Sequence, residues 1–404
     1  MRVDIAPSRA IGTVKVPTSK SMAHRLLICA GLANGKSRIC GITRCEDVLA
    51  TVDCLRALGA EINYDGDCAV VHGINPCDSV SFESLVCRES GSTLRFLIPV
   101  ALLSGKSIEF CGSKRLFERP MTVYEEIAKK HGMTFTKGEN KITACGPLKG
   151  GEISIRADVS SQFISGLLFA LPLCQEDSRI KLTTDIESMS YIHLTISAMK
   201  KYGVEAYFED EKTIFIRGGQ SYTPTDSYVE GDFSAAAFCD GFNLLGGDVK
   251  CEGLDDSSLQ GDKVYRTHLD TLSKGYSSIS LKDCPDLGPI LFALAAALHG
   301  GEFTDTARLR IKESDRANAM ASELKKFGAD ISVYENRVII NPAKLHAPRE
   351  ILRGHNDHRI VMALSVLCSV FGGSIDDAQA VSKSYPDFFK HIISLGIKAN
   401  INET

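Results

Sequence analysis

Several short runs in this sequence place a small polar residue at the head of an apolar helical pattern, with a lysine or arginine close by. PTSKSMAHR puts Ser19, Lys20, Ser21 and Arg25 before Leu26, Leu27 and Ala30, which with Met22 follow helical spacing. ESGSTLRF offers Gly91, Ser92 and Arg95, and DVSSQF offers Ser160, Ser161 and Gln162. KESDRANAM carries Lys312, Ser314 and Arg316, NDHRIVMAL carries Arg359, and SKSYPDFF carries Lys383 just before a helix that opens on proline. The start of a helix exposes backbone N–H groups and the positive end of its dipole, so a neighbouring guanidinium completes a site for phosphate or carboxylate. A glycine such as Gly91 lets the chain approach the anion closely. Capping alone explains any one of these runs; if all converge, they hold a small polyanion with more than one acidic group.

Acid–base chemistry near such cations needs a few carboxylates, and Asp286 in CPDLGPILF and Glu313 in IKESDR are the candidates, with helix capping as the competing account of both. His355 and His358 in GHNDHR are three apart, but no HExxH, Cys/His cluster or DxDxDG loop accompanies them, so structural histidines and no metal are expected. AGLANGKS, Ala30 to Ser37, fits a permissive phosphate-loop pattern. There a helix precedes Gly35 and a β-prone run follows, the reverse of a true phosphate loop, so Gly35 reads as a helix C-cap. GxGxxG and GxSxG are absent, which leaves dinucleotide chemistry and serine hydrolysis without a foothold.

The elements that position these residues show in a repeat. Amphipathic patterns end at Gly59, Gly132, Gly203, Gly275, Gly328 and Gly396, at a period of roughly seventy residues with one shorter step. An alternating apolar–polar run follows each, crossing a turn such as Tyr64-Asp65-Gly66-Asp67, and reads as strand, tight turn, strand, the copies after Gly275 and Gly396 being degenerate. Each glycine is expected in the left-handed position that closes a helix. Six units divide into two sets of three around shared cores, and 404 residues with 44% hydrophobic content suffice for two domains. The expected division is 18–228 for the first domain and 1–17 with 229–404 for the second.

A net charge of -4 gives no basic field for nucleic acid, so anion capture must be local. The fourteen cysteines include no CxxC pair and are expected to be reduced core residues. The opening MRVDIAPSRAIGTVKVP lacks the apolar stretch of a signal peptide, and no apolar run is long enough for a bilayer, so a cytoplasmic protein without membrane contact is expected, working as a monomer.

PTSKSMAHR, ESGSTLRFL, KRLFERP, SSQF, IKESDR, NDHR and SKSYPDFF occur in an order and spacing that resembles the 5-enolpyruvylshikimate-3-phosphate synthases, across essentially the whole chain. The resemblance implies an α/β (α+β) fold, a two-domain inside-out barrel in which each domain has three βαβαββ units and helix N-termini face the interdomain cleft. It implies transfer of the enolpyruvyl group of phosphoenolpyruvate to the 5-hydroxyl of shikimate 3-phosphate, with no cofactor. By matching motifs, shikimate 3-phosphate would meet Lys20, Ser21, Arg25, Ser160, Ser161, Gln162, Ser188, Asp286 and Lys312. Phosphoenolpyruvate would meet Lys20, Gly91, Arg115, Gln162, Arg316, Arg359 and Lys383. Asp286 would handle the hydroxyl proton, with Glu313 and Lys20 serving the methylene proton. Glu89-Ser90-Gly91-Ser92 departs from the family's Asn-Ala-Gly-Thr, and Arg308 stands where an Asn ligand is common, so that contact is not carried over.

Two other readings compete. Enolpyruvyl transfer to UDP-N-acetylglucosamine uses the same architecture, but Ser21 rather than Asn follows Lys20 and KRLFERP carries no cysteine. A repeat-built scaffold or nucleic-acid clamp would need a stripe of long basic side chains, whereas these cations are interleaved with Ser, Gly, Asp and Glu.

Overall fold

The computed structural model of the chain describes residues 1–76 and 84–402. All six repeat glycines follow a helix and have positive φ, from 68° at Gly132 to 150° at Gly275. A residue without Cβ turns the chain out of the helix there with little strain. The chain divides into two compact units, Thr18–Glu230 and Met1–Pro17 with Gly231–Thr404. Each encloses its own apolar core.

The unit Thr18–Glu230 contains three four-stranded sheets built to one plan. In one, Ser84–Val86 runs parallel to Ser107–Cys111, which pairs antiparallel with Lys141–Cys145, itself in a hairpin with Thr134–Lys137. Gly151–Ile155, Ser178–Leu182, Thr213–Ile216 and Ala206–Asp210 repeat that order. Lys36–Cys40, Cys68–His72 and Glu61–Asp65 do so again, but their parallel edge strand, Ser227–Tyr228, arrives from the far end of the unit. One helix of each βαβαββ copy is buried round most of its circumference: Lys20–Gly31, Gly91–Leu102 and Ser161–Ala170. A helix with so little polar face must lie inside, and Gly91–Leu102 packs along Ser161–Ala170.

The other unit holds one full copy, in which Ser278–Ser280, Gly301–Thr304, Arg337–Asn341 and Asp330–Val333 follow the same order. Its two remaining copies correct the expectation of a hairpin after every glycine. After Gly275 the chain enters Ser278–Ser280, the leading strand of the next copy, so Ile11–Lys15 and Asp248–Glu252 form a two-stranded sheet with no hairpin. That loss accounts for the short step to Gly328. After Gly396, strand Lys398–Asn402 pairs with Arg2–Ala6, which pairs on its other side with Gly373–Ile375. The inner helices are Phe233–Leu244, Gly288–Ala297 and His358–Phe371, with Gly288–Ala297 packed against both others.

Two smaller expectations also change. Cys40 and Cys68 are not reduced: antiparallel register between their strands sets them side by side, Cα atoms 3.9 Å apart, in a disulfide. The remaining described cysteines are free, most of them buried, and Cys77 lies outside the described residues. Gly35 is not a helix cap. The helix closes at Leu32, and Gly35, φ 139°, leads into strand Lys36–Cys40 where a side chain would strike Pro224. Among the described residues no helix is long and apolar enough to cross a membrane.

Candidate active site

In the unit Thr18–Glu230 the inner helices begin at Ser19, Ser90 and Ser160, whose hydroxyls accept from the amides of Met22, Thr93 and Gln162. These neutral caps satisfy one donor each and add no negative charge where an anion is to bind. Lys20 donates to Asp47 at 2.7 Å. Arg25 is buried, donating through Nε to Thr195 Oγ1 at 2.9 Å and through Nη1 and Nη2 to the carbonyls of Ser21 and Tyr191. Burial draws its pKa down to about 10, so it keeps its charge at neutral pH. Gln162 is oriented by two bonds, accepting from Arg95 Nη1 at 2.7 Å and donating to Ser92 Oγ at 2.9 Å. Ser161 lies in the first turn of its helix, and Ser188 sits in a left-handed conformation before Met189–Lys201.

The run KRLFERP divides in an unexpected way. Arg115, the residue singled out in the sequence, lies on the short helix Lys114–Glu118 with its side chain 41% exposed and ion-paired to Glu118. Arg119 leaves that helix in an extended conformation ahead of Pro120, the geometry that a following proline favours. It is only 6% exposed, and its Nε has no hydrogen-bond partner among the described residues. Its guanidinium lies against Gly91: a Cβ there would come within 2.5 Å of Arg119 Nη1. Gly91 thus lets the Arg119 guanidinium approach its backbone closely.

The other unit gathers its predicted residues around one carboxylate. Asp286 Oδ1 meets Arg316 Nη1 at 2.8 Å and Lys312 Nζ at 3.3 Å, while Oδ2 meets Arg359 Nη2 at 2.9 Å. Arg316, 1% exposed, also holds Glu313 at 2.8 Å and Asp357 at 2.9 Å. Burial opposes charge on Arg316, but Asp357, Glu313 and Asp286 outweigh it and raise its pKa. Burial likewise pushes the Asp357 carboxyl up, and Arg316 pulls it below the ordinary value. Lys312 has less compensation: burial brings it down to about 8. Arg359 also bonds Ser234 Oγ, and Lys383 donates to the carbonyl of Asn356 at 2.6 Å. Such a network, broken at one partner, leaves a buried charge uncompensated at about 3–5 kcal/mol.

The structure thus brings together Asp286, Lys312, Glu313, Arg316 and Arg359 in one cluster, with Lys383 tied to the loop beside it through Asn356. Cations and carboxylates alternate on helix starts, an arrangement able to exchange its internal carboxylates for those of an anionic ligand and to move a proton at Asp286 or Glu313. The model of one protein family, EPSP synthase (3-phosphoshikimate 1-carboxyvinyltransferase), matches residues 5–392.

The chain belongs to the EPSP synthase family.

It is therefore a transferase of the shikimate pathway. The 3-phosphoshikimate 1-carboxyvinyltransferase of Clostridium perfringens is 40% identical over 98% of both chains. That of Clostridium kluyveri is also 40% identical, over 98% of this chain and 97% of its own. An EPSP synthase structure from Acinetobacter baumannii matches the full length of both chains with a TM-score of 0.78 at 22% identity, a likeness of fold. EPSP synthase motifs in the sequence pointed to most of the clustered residues but not to Arg119, Asp357 or Asp47. Arg119 and Asp357 stand inside the quoted motifs, and the proline after Arg119 was the available signal.

Proposed function

We propose that this protein transfers the enolpyruvyl group of phosphoenolpyruvate to the 5-hydroxyl of shikimate 3-phosphate and releases phosphate. The observation that carries the reading is Asp286, held by Lys312 and Arg316 of one segment and Arg359 of another. Lys20, Ser21, Arg25, Ser160, Ser161, Gln162 and Ser188, with Asp286 and Lys312, take shikimate 3-phosphate. Lys20, Gly91, Gln162, Arg316, Arg359 and Lys383 take phosphoenolpyruvate. Arg119 replaces Arg115 in that second set, because a buried guanidinium against Gly91 suits an anion and a surface arginine paired with Glu118 does not.

The reaction needs a proton added to C3 of the enol as the 5-hydroxyl oxygen attacks C2, then loss of phosphate from C2 and of a proton from C3. Asp286 takes the hydroxyl proton, and Glu313 and Lys20 serve C3. In the structure Asp286 and Glu313 are both bound to Arg316. When the ligand's anionic groups take over those donors, the two carboxylates lose their partners and become stronger bases at the moment they are needed. Binding thereby activates the acid–base groups. Fixed cations and orientation of the two substrates supply most of the acceleration.

The deciding assay mixes purified protein with phosphoenolpyruvate and shikimate 3-phosphate and follows inorganic phosphate, with UDP-N-acetylglucosamine in a parallel reaction. Phosphate release with shikimate 3-phosphate alone is expected; release only with the nucleotide sugar would overturn the assignment. We further propose a cytoplasmic, monomeric enzyme, and elution at twice the chain's 43.8 kDa mass would refute the monomer.

A further inference from the structure

The loop Gly354–Asp357 leads into helix His358–Phe371 and carries two consecutive residues in the left-handed conformation, His355 at φ 52° and Asn356 at φ 49°. Neither is glycine, so each costs about 1 kcal/mol or more and persists only where its surroundings over-determine it. The restraint on one side is Glu323, near the end of helix Arg316–Lys326 and 1% exposed. Its Oε1 accepts from His355 Nε2 at 3.0 Å and Ser322 Oγ at 2.9 Å. Its Oε2 accepts from the Arg353 amide at 2.8 Å and Lys326 Nζ at 2.7 Å. Burial pushes this carboxyl upward, but those donors bring it down to about 2, so it is ionised at working pH. On the other side Asp376 accepts from the Gly354 amide and Asp377 from the Asn356 amide, at 2.9 and 3.3 Å. A side chain at Gly354 would strike the Asp376 carbonyl at 2.5 Å, so the loop cannot slide.

What the loop presents is functional. The Asn356 carbonyl receives Lys383, and Asp357 holds Arg316, the first residue of the same helix that carries Glu323. We propose that Glu323 is a positioning residue of the transfer reaction: through His355 and the Arg353 amide it locks the left-handed turn that sets Lys383 and Arg316 for phosphoenolpyruvate. One helix thus braces the loop at its C-terminal end and is gripped by it at its N-terminal end. The proposal rests on the assignment of Lys383 and Arg316 to phosphoenolpyruvate.

The test uses steady-state kinetics of the full-length enzyme with both substrates varied. His355→Gly keeps the left-handed backbone without strain and removes the bond to Glu323, so it should fold with an unchanged melting temperature. It should raise KM for phosphoenolpyruvate about tenfold, with KM for shikimate 3-phosphate within about twofold of wild type. Glu323→Gln should shift the same constant, and His355→Gln, whose amide can still donate to Glu323, should recover most of the affinity. A role in stability alone would lower kcat through lost active protein and leave both KM values unmoved, which overturns the proposal. Lys383→Met separates the two levels. If it raises KM for phosphoenolpyruvate while His355→Gly and Glu323→Gln do not, Glu323 positions nothing and the ligand assignment survives. If it leaves that KM unchanged, both fall together.

Discussion

Replacing Gly91 with alanine perturbs the site by a single methyl group. The added Cβ would lie 2.5 Å from Arg119 Nη1, 2.8 Å from Cζ and 3.0 Å from Nη2, so the guanidinium must move. Those atoms are the far end of a flexible side chain, and alanine gains up to about 1 kcal/mol of helix propensity over glycine, so stability should change by no more than about 1 kcal/mol. Affinity should change more. Losing one charge-assisted hydrogen bond to the ligand is worth about 1.5–3 kcal/mol, which corresponds to a rise in KM for phosphoenolpyruvate of about tenfold to a hundredfold. Initial rates of phosphate release, with each substrate varied at saturation of the other, measure this directly. KM for shikimate 3-phosphate should stay near the wild-type value, and a thermal melt should superpose on the parent's. An unchanged KM for phosphoenolpyruvate in a protein of unchanged stability would refute the placement of Gly91 and Arg119 around that ligand.

Asp286→Asn retains the shape and removes the base, so kcat should fall by about a thousandfold, whereas activity within tenfold of wild type would remove Asp286 from proton transfer. Burial brings Lys312 down to about 8, so its positive charge is present below that pH and lost above it. The value of kcat/KM for shikimate 3-phosphate should therefore fall as pH rises through about 8, and Lys312→Arg should move that limb beyond the measurable range; a profile identical in the two proteins would refute the role. Cys40 and Cys68 are 28 residues apart in sequence, so opening their disulfide should cost about 3.5 kcal/mol, read as a lower urea midpoint with reductant in the wild type but not in Cys40→Ser/Cys68→Ser.

What could be read in the sequence was what the chain encodes locally. A glycine after an amphipathic run fixes its own conformation, and all six had positive φ wherever the chain then went. IKESDR was equally legible, because Lys312, Glu313 and Arg316 fall within about one helical turn and needed no knowledge of distant contacts. Properties set by pairing were hidden. Whether Gly275 or Gly396 leads into a hairpin depends on which strand arrives next to it, and at Gly396 the neighbour is Arg2–Ala6. The disulfide escaped for the same reason: motif spacing cannot see two cysteines made neighbours by strand register. Arg115 and Arg119 have the same chemistry four positions apart, and only the end of a short helix before Pro120 sends one outward and the other inward.

The pairing of Arg2–Ala6 with both Gly373–Ile375 and Lys398–Asn402 bears on the order in which a ribosome could deliver a folded product. Every strand of the three sheets within Thr18–Glu230 has been synthesised by Tyr228, so that half can settle while translation continues. Arg2–Ala6 must instead wait for Lys398–Asn402 before its sheet exists, a contact of very long sequence separation and correspondingly slow to close. Until then its edges are unmatched, and this is the interval in which the nascent chain would most need shielding from its neighbours.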